Sequence, residues 1–500
     1  MAALTTQSLK VKSWAKTKNK LIKYIMFMKT KSLFVTTAVI LLSLISCGQN
    51  GEPEGKKQKI WTYSMNEICK EWDGQWQGIK VASDGNCYFG SSTHSKSHGA
   101  GFHKFDPRTY EVTMLAEDMT EICGESDLPG FPQQGKIHSD IVECDGWLYF
   151  CTHLSNYWKE GIEAYPGAHI IGYEMATGKF RDYGIPMPGY SIYAAIDVDP
   201  KSKKIYAFMT PFKSKDRKTD GSHLYSIDIE SGEMKDLGMV VKGKACSFYF
   251  YIDDNGNVWF TLKKRGMPKL EDDHGNLYVY RPSTEKLDTL HNVLPMGQLI
   301  DGTRTTELQD TQRSWTWLTP IEGRKRCMFI MGPFGGGDER AWIFDPTKDI
   351  ESGEAFEPIS SFGPSYFQTA LAGDRLYFVQ YENLEDERTL KAEDARELTP
   401  ADSNYVDYKM HLRSVSLKEG DDHNVITDHG PLVDAEGRKA SMIYALAADE
   451  NGLVYVYGSW TVKSPKEATL QYQFRKHPNG DVFHLAPRGE FFAVVNTNLE

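Results

Sequence analysis

The sequence lacks the signatures of several common function classes. It has no Cys-x-x-Cys pair and no dense cluster of His and Cys, so a zinc-finger-type site is excluded. No Gly-x-Gly-x-x-Gly follows a strand pattern and there is no Walker loop, which excludes the usual nucleotide-binding motifs. A formal net charge of −11 disfavours nucleic acid as a partner. An anionic substrate stays compatible with this charge, because the local field of a cleft governs binding there.

Cysteine is also scarce. Besides Cys47, seven cysteines remain at irregular spacing, and this odd number is not a disulfide framework. Cys144 and Cys151 flank one predicted hairpin, so a cross-strand bond between them is an option. For most of the cysteines we expect buried free thiols.

The apolar run at residues 33–45 is too short for a comfortable transmembrane helix. It follows a basic flank and ends in Leu44-Ile45-Ser46-Cys47, which matches a bacterial lipobox. We therefore predict a signal peptide over residues 1–47, with Cys47 as the lipidated N-terminus; an uncleaved anchor helix is the alternative. Residues 48–58 are predicted to be a flexible tether. The expected location is the bacterial outer membrane, facing the cell surface or the periplasm.

What the sequence does contain is a repeated unit. A turn followed by an aromatic-rich strand recurs seven times, at residues 84–89, 145–150, 203–208, 255–260, 323–329, 373–378 and 451–456. Each copy follows one strand pattern and precedes two more, so a repeat of about 50–80 residues suits one four-stranded antiparallel sheet. We predict an all-β fold, a seven-bladed β-propeller over residues 59–500. Residues 60–63 or 491–495 would supply the strand that closes the ring.

The start of each predicted inner strand holds a polar residue. Comparison of the repeats places His138 and Tyr193 at this position in the second and third blades, and Gln77, Ser247 and Gln368 in the first, fourth and sixth. Inner strands line the central channel, so these side chains are expected at one mouth of it. Polar groups that converge on a concave mouth are typical of a binding site.

Three histidines occur in the second blade: His138, His153 and His169. An antiparallel chain returns to the same end of a sheet after two strands, so His138 and His153 are expected to be neighbours, with His169 on the same side. Three imidazoles at one rim fit a metal site, an acid/base set or a hydrogen-bonded structural group. Tyr193 at the neighbouring rim position favours the acid/base reading.

Other side chains near this mouth are candidates for substrate binding. A tyrosine in an inner strand usually packs in the core with its hydroxyl satisfied, but at a mouth it can contact a ligand. A cation at the rim would come from Lys213 or from Lys264 and Arg265. In the first blade, a loop with three histidines is either a substrate contact or simply exposed. The substrate-binding candidates are Gln77, His169, Tyr190, Lys213, Tyr249 and Tyr251.

Residues 135–138, 148–153 and 165–173, followed by the tyrosine-bearing inner strand of the third blade, resemble the seven-bladed-propeller polysaccharide lyases. The similarity is greatest to the ulvan lyases of marine bacteria, polysaccharide lyase families 24 and 25 and their relatives. This resemblance implies a carbon–oxygen lyase that cleaves a uronic-acid-containing, sulfated algal polysaccharide by β-elimination. It implies His138 and Tyr193 as the acid/base pair, in either order, and His153 as a supporting imidazole.

The resemblance further implies no cofactor for the chemistry, but a structural divalent metal, Zn or Ca, with ligands unassigned. Lys213 stands in for the cation that neutralises the uronate carboxylate, because no arginine occupies an obvious position. The implied partners are the anionic polysaccharide and, through the lipid, the membrane, with the protein a monomer. The chemistry is consistent: removing the proton α to a carboxylate requires its charge to be offset, and histidine is a base at neutral pH.

Three other functions fit parts of the pattern. One is a metal-dependent propeller lyase of the oligogalacturonate-lyase kind, which would use a His-bound metal. Another is a non-catalytic, glycan-binding surface propeller. The last is a propeller glycosidase, which needs two facing carboxylates; Asp140 and Asp197 lie near the predicted mouth but are better explained as turn and strand-edge residues, and there is no repeated Asp-box.

Overall fold

The chain forms seven antiparallel blades arranged in a ring, a seven-bladed β-propeller, as the repeat predicts. The computed structural model describes residues 53–126, 133–213, 220–246, 249–264, 276–295, 314–333, 338–359, 363–382, 409–462, 475–476, 482–483 and 488–499. Residues Gly55–Glu500 form one compact unit. The predicted signal peptide with Cys47, together with Ser247 and Arg265, lies outside the described residues, and so do the side chains of Tyr193, Lys264 and Gln368.

The strands of each blade are given in order from the channel outward, and some inner strands are split into two segments. Blades 1 to 3 consist of the strands Trp72–Gly74 with Ile79–Val81, Cys87–Thr93, Gly101–Asp106 and Glu111–Ala116; Lys136–Ile137 with Val142–Cys144, Trp147–His153, Ile170–Glu174 and Lys179–Gly184; and Tyr190–Asp199, Lys204–Pro211, His223–Asp228 and Met234–Met239.

Blades 4 to 7 follow the same order. They consist of the strands Lys244–Cys246 with Tyr251–Ile252, Val258–Phe260 with Leu262–Lys264, Leu277–Arg281 and Lys286–Leu290; Ser314–Ile321, Arg326–Pro333, Asp338–Phe344 and Phe356–Pro358; Gly363–Ala372, Arg375–Glu382, Lys409–Ser416 and Ile426–Pro431; and Ala440–Ala448, Leu453–Thr461, Arg488–Asn496 and Ile60–Ser64.

Helix is rare in the described part of the chain. The α-helices there are Met119–Ile122, capped by the Asp118 side chain, and Lys159–Ala164, and the 3₁₀ turns are Glu54–Lys57 and Glu322–Arg324. A hairpin, Arg475–Lys476 with Val482–Phe483, is inserted in blade 7. Within the described residues, no helix is long and apolar enough to cross a membrane.

The repeated turns have a backbone reason. In blade 2, Asp145 and Gly146 have φ of 51° and 78°, the positive pair that a tight two-residue hairpin turn requires. This turn leads into the strand Trp147–His153. The last aromatic of the repeated phrase, here Phe150, is fully buried and packs between neighbouring blades. Its ring lies 4.8 Å from Phe102 of blade 1.

The ring closes non-covalently between the two ends of the propeller. Strand Ile60–Ser64 pairs antiparallel with Arg488–Asn496, with Ile60 opposite Val495. Both segments that the sequence offered are therefore used: residues 491–495 lie in the third strand of blade 7, and the N-terminal strand is its outer strand. Phe89 of blade 1 stacks on Phe492 of blade 7, with ring centroids 4.3 Å apart, where the ring of blades closes.

The expectation of free thiols is confirmed. All seven described cysteines are free, and six of them are buried. The cross-strand bond between Cys144 and Cys151 is not formed. Cys144 lies opposite Trp147 at the turn, whereas Cys151 lies opposite Ile170 on the neighbouring strand, so the two sulfurs are not directly opposed.

Candidate functional site

Blade 2 brings two imidazoles together at one mouth of the channel. Lys136 in its inner strand pairs with His153 at the end of its second strand. The rings of His138 and His153 are 5.2 Å apart at an angle of 73°. The antiparallel return of the chain to the same end of the sheet accounts for this proximity, as the sequence predicts.

His153 is fully buried, and neighbours from two blades hold its ring. The hydroxyl of Ser191, from blade 3, is hydrogen-bonded to Nδ1. Tyr157 Oη is 2.9 Å from Nε2. The ring of Phe212 contacts the imidazole edge-on at 5.0 Å. Hydroxyl groups on both ring nitrogens allow His153 to accept or release a proton without moving.

His138 lies against an aromatic surface that joins three blades. Trp76 of blade 1 stacks on His138, with ring centroids 5.8 Å apart and an interplanar angle of 23°. Tyr444 of blade 7 and His94 contact the same indole at 5.6 Å and 5.1 Å. Like His153, His138 is buried, with 3% of its surface exposed.

A buried lysine that the sequence analysis did not select lies beside these rings. Lys136 donates hydrogen bonds to the carbonyl oxygens of Leu154 and Ser155 at 3.2 Å and 2.8 Å. Its Nζ lies 5.2 Å from the ring centroid of Trp76 and 4.3 Å from that of Tyr157. Burial lowers the pKa of Lys136 to about 7, against an opposing effect of a nearby aspartate. The amine therefore exchanges protons near neutral pH.

The sequence contained a signal for Lys136 but none for its neighbours. Lys136 precedes His138 by two residues in Gly135-Lys-Ile-His, and alternate residues of a strand share a face. Tyr157 and Ser191 reach His153 only through a loop and a neighbouring blade, so neither was selected.

Blade 3 contributes the next side of the mouth. Tyr193 lies in the inner strand Tyr190–Asp199, where the pairing with the second strand shifts register between Ile192 and Ile196. Such a bulge re-aims side chains and is common beside active sites. The side chain of Tyr193 is outside the described part of the structure, so the predicted role of Tyr193 stays a prediction.

Lys213 lies at the same mouth. It follows Phe212, whose ring contacts His153, and its stem packs against Gly189, where an added Cβ would come within 2.6 Å of Lys213 Cε. Within the described residues, Lys213 forms no salt bridge.

The channel contains a cavity of about 330 Å³. Gln77 lines it, is 4% exposed, and has an amide oxygen with no hydrogen-bond partner among the described residues. Tyr249 also lines this cavity. Tyr251 is instead fully buried and donates to the carbonyl oxygen of Arg324 at 2.5 Å, at the turn end of the blades. The structure does not bring Tyr251 to the imidazoles.

The carboxylates considered for a glycosidase also line this cavity. Asp197 is engaged by both terminal nitrogens of Arg324, at 2.7 Å and 2.8 Å. Burial raises the pKa of Asp140 to about 6, against an opposing effect of Lys80. Because Asp197 is held in an ion pair, the two do not form the free, facing pair that glycoside hydrolysis needs.

His169 is paired with two acidic side chains. Its Nε2 lies 2.9 Å from Glu125 and its Nδ1 lies 2.9 Å from Asp182. Burial lowers the pKa of His169, but hydrogen bonds to Asp182, Cys123 and Glu125 outweigh it and raise the pKa to about 12. A cation already neutralised by two carboxylates is a poor contact for an anionic substrate. Tyr190 is also engaged, because its hydroxyl donates to Asp220.

The His169 arrangement recurs in other blades. In blade 3, His223 pairs with Asp236 at 3.0 Å, and in blade 6, His411 pairs with Asp428 at 3.0 Å. Each of the three aspartates also accepts a hydrogen bond from the glycine two residues later: Gly184, Gly238 and Gly430. These histidines tie the third strand of a blade to its fourth. The sequence signal, a histidine followed by Asp-x-Gly, was overlooked.

One group of described side chains has donor atoms close enough together to hold a metal ion: Cys123, His169 and Asp182, within 4.8 Å of one another. Burial raises the pKa of the Cys123 thiol to about 11, so it is protonated. Both nitrogens of His169 are already bonded to carboxylates. A metal ligand must be deprotonated and have a free lone pair. As arranged, these residues therefore do not fit a metal ion.

The first-blade histidines are structural as well. His94 pairs with Asp73 at 3.1 Å and His98 with Asp118 at 3.2 Å. His103 is fully buried between Trp72 and Phe89, and neither ring nitrogen has a hydrogen-bond partner among the described residues. Burial lowers the pKa of His103 to about 3.

Replacing His103 by leucine should make the fold less sensitive to acid. Its pKa is lower in the folded than in the unfolded chain, so the unfolded chain binds the extra proton between about pH 3 and 6.5. The wild type should lose about 2 kcal/mol of unfolding free energy at this site between pH 7 and pH 5, and His103→Leu should not. Urea unfolding at both pH values measures the difference; equal losses in the two proteins would contradict the assignment.

Comparisons with known proteins show no family for this chain. No protein-family model matches it, and no curated protein matches it. Among solved structures, an oligogalacturonate lyase in complex with manganese is 10% identical, with a TM-score of 0.47, covering 88% of this chain and 96% of that one. The oligogalacturonate lyase of Vibrio parahaemolyticus is 10% identical, with a TM-score of 0.45, covering 87% and 96%.

A structure of a different enzyme is about as similar. The Niastella koreensis GH74 enzyme is 10% identical, with a TM-score of 0.44, covering 77% of this chain and 51% of that one. Similarities at this level say nothing about the activity of this chain. The class established here is a seven-bladed β-propeller with an imidazole pair at one mouth of its channel.

Proposed function

We propose that the protein is a polysaccharide lyase that cleaves a uronic-acid-containing polymer, of the ulvan type, by β-elimination at the mouth formed by blades 1 to 3. The observation that carries the proposal is the pair of buried imidazoles, His138 and His153, with rings 5.2 Å apart at one mouth of the channel. His169, His223 and His411 are paired with carboxylates and tie strands together, whereas His153 contacts hydroxyl groups and both rings of the pair lie at the channel mouth, a setting suited to proton transfer.

The roles follow from what β-elimination requires. A base removes the proton at C5, the electron pair forms the C4–C5 double bond, and the bond from C4 to the leaving oxygen breaks. His138 is the proposed base and Tyr193 the proposed acid that protonates the leaving oxygen, with His153 in support. Lys213 would offset the charge of the carboxylate, which stabilises the negative charge that develops as C5 loses its proton. No redox cofactor is needed for these steps.

We also propose that the enzyme acts at the cell surface or in the periplasm. The lipobox ending at Cys47 would anchor it to the outer membrane, and residues 48–58 would tether the propeller. Its substrate would be an anionic polysaccharide, and a monomer is sufficient because both imidazoles and Lys213 come from one chain.

Incubation with ulvan should release products with a new ultraviolet absorbance, the signature of an unsaturated uronate. Polygalacturonate and a neutral glucan serve as parallel substrates, with and without a chelator. Reducing ends without the new absorbance would indicate hydrolysis and overturn the proposal. Cleavage of polygalacturonate alone, abolished by the chelator, would favour the metal-dependent lyase. Binding of the polymer without cleavage would favour the glycan-binding propeller.

A further inference from the structure

We propose that Tyr157, in place of Tyr193, is the catalytic residue that donates a proton to the leaving oxygen, with His153 hydrogen-bonded to it as its proton source. This inference rests on the proposed lyase function and adds a residue that the sequence pattern did not select. It is carried by one contact and one difference in exposure: Tyr157 Oη lies 2.9 Å from His153 Nε2, and Tyr157 is 41% exposed while His153 is fully buried.

The exposure decides which group meets the substrate. His153 has no exposed surface and cannot contact a polymer directly, whereas the phenol bonded to it reaches solvent and His138 keeps 3% of its surface exposed. Ser191 is hydrogen-bonded to Nδ1 of His153 and Tyr157 to Nε2, so the three side chains form a hydrogen-bonded chain in which each can exchange a proton. The phenol is the outer end of that chain, and the Ser191 hydroxyl is the inner end.

The position of Tyr157 is set by contacts on both sides of its loop. Its ring stacks on Phe212 at 6.1 Å. The neighbouring Asn156 side chain donates to the carbonyl oxygen of His94 at 2.8 Å, which ties the loop to blade 1. The helix Lys159–Ala164 begins two residues after Tyr157. An exposed tyrosine held in this way keeps its hydroxyl at the imidazole, as a catalytic acid requires.

The electrostatics around the ring suit a proton donor. Lys136 Nζ lies 4.3 Å from the centroid of the Tyr157 ring. Lys136 exchanges its proton near neutral pH, and in its protonated form the ammonium group at this distance stabilises the negative charge left on the phenol oxygen after proton transfer. Lys136 is itself fixed by two carbonyl oxygens, so the charge does not have to move during the reaction.

The step balances as follows. The C4–O bond breaks, and its electron pair stays on the leaving oxygen, which takes the proton from Tyr157 Oη. His153, which carries a proton on both ring nitrogens before the step, then passes its Nε2 proton to the phenolate oxygen and becomes a neutral imidazole that keeps the Nδ1 proton toward Ser191 Oγ. His153 recovers a proton from solvent after product release, while the proton from C5 leaves on the base. No oxidant, reductant or further reactant is required.

Tyr157→Phe tests this role by leaving-group dependence. The variant keeps the ring and its packing but loses the hydroxyl, so on the polymer that the wild type cleaves we expect kcat to fall by about 10²-fold or more with a small change in KM. On a synthetic uronate that carries nitrophenol at C4, the leaving group needs no proton, and the variant should cleave at nearly the wild-type rate. Tyr63→Phe, on the outer strand of blade 7, is the matched control.

Each other outcome counts against the proposal. An equal loss on both substrates would assign Tyr157 a structural or binding role, and undiminished cleavage of the polymer would remove it from the mechanism. In both cases the lyase function itself would stand, because the wild type cleaves. A wild type that cleaves no uronate substrate would overturn the proposed function and this inference together.

Discussion

Replacing His138 by alanine is expected to lower kcat/KM on the cleaved uronate polymer by about 10²–10⁴-fold, the range typical of a lost general base. The reason is positional: His138 stacks on Trp76 with ring centroids 5.8 Å apart and faces His153 at 5.2 Å, at the mouth of the channel. Initial rates measured by the ultraviolet absorbance of the product check the prediction, and circular dichroism checks the fold.

The control for this prediction is another histidine of the same fold. His411→Ala, in blade 6, removes an imidazole that pairs with Asp428 at 3.0 Å and is remote in sequence from the site. We expect it to cost stability and to leave kcat/KM unchanged. Wild-type activity in His138→Ala, or an equal loss of activity in both variants, would remove His138 from the mechanism.

Replacing Asp197 by alanine is expected to cost about 3 kcal/mol of unfolding free energy. Arg324 lies in the turn of blade 5 and donates to Asp197 of blade 3 and to the carbonyl oxygen of Ile252 in blade 4, so it ties three blades at the channel. Removing the carboxylate leaves a largely buried guanidinium without its counter-charge, which is the costly way to break a buried ion pair. The expected cost is at the low end for a broken buried ion pair, because 21% of the Arg324 side chain is exposed.

Two further variants separate the ion pair from its surroundings. The double variant Asp197→Ala with Arg324→Met should recover most of the lost stability, because no unpaired charge remains. Asp254→Ala breaks an exposed ion pair with Lys201 at 2.6 Å and should cost much less than Asp197→Ala, because solvent screens an exposed pair. Urea unfolding of the four proteins measures this. Equal losses for Asp197→Ala and Asp254→Ala would show that the channel pair contributes no more than a surface pair.

Much of the candidate site was predictable because it depends on strand geometry within one repeat. His138 and His153 lie on paired strands of one blade, so a correct reading of the hairpin predicts that they meet. His169 shows the limit of this reasoning. Its strand position was predicted, but its partners were not, because Glu125 precedes the blade and Asp182 lies on the next strand. A histidine at a rim and a histidine between carboxylates look alike in sequence.

Residues from different repeats meet only through the packing of the blades. Ser191 of blade 3 bonds His153 of blade 2, and Trp76 of blade 1 stacks on His138. Asp197 and Arg324 are 127 positions apart. Such contacts depend on the angle between neighbouring sheets and on the loops at their ends, and no local pattern encodes either.

The amino-acid sequence was sufficient for the number of blades, the strand order within them and the pairing of two imidazoles, because each depends on turns and alternation within about 60 residues. The three-dimensional arrangement was needed to show that Lys136 is buried beside aromatic rings, that Tyr157 is the exposed end of the His153 hydrogen bonds, and that His169 is neutralised. Those properties depend on burial and on charges contributed by distant segments, and these exist only after the ring has closed.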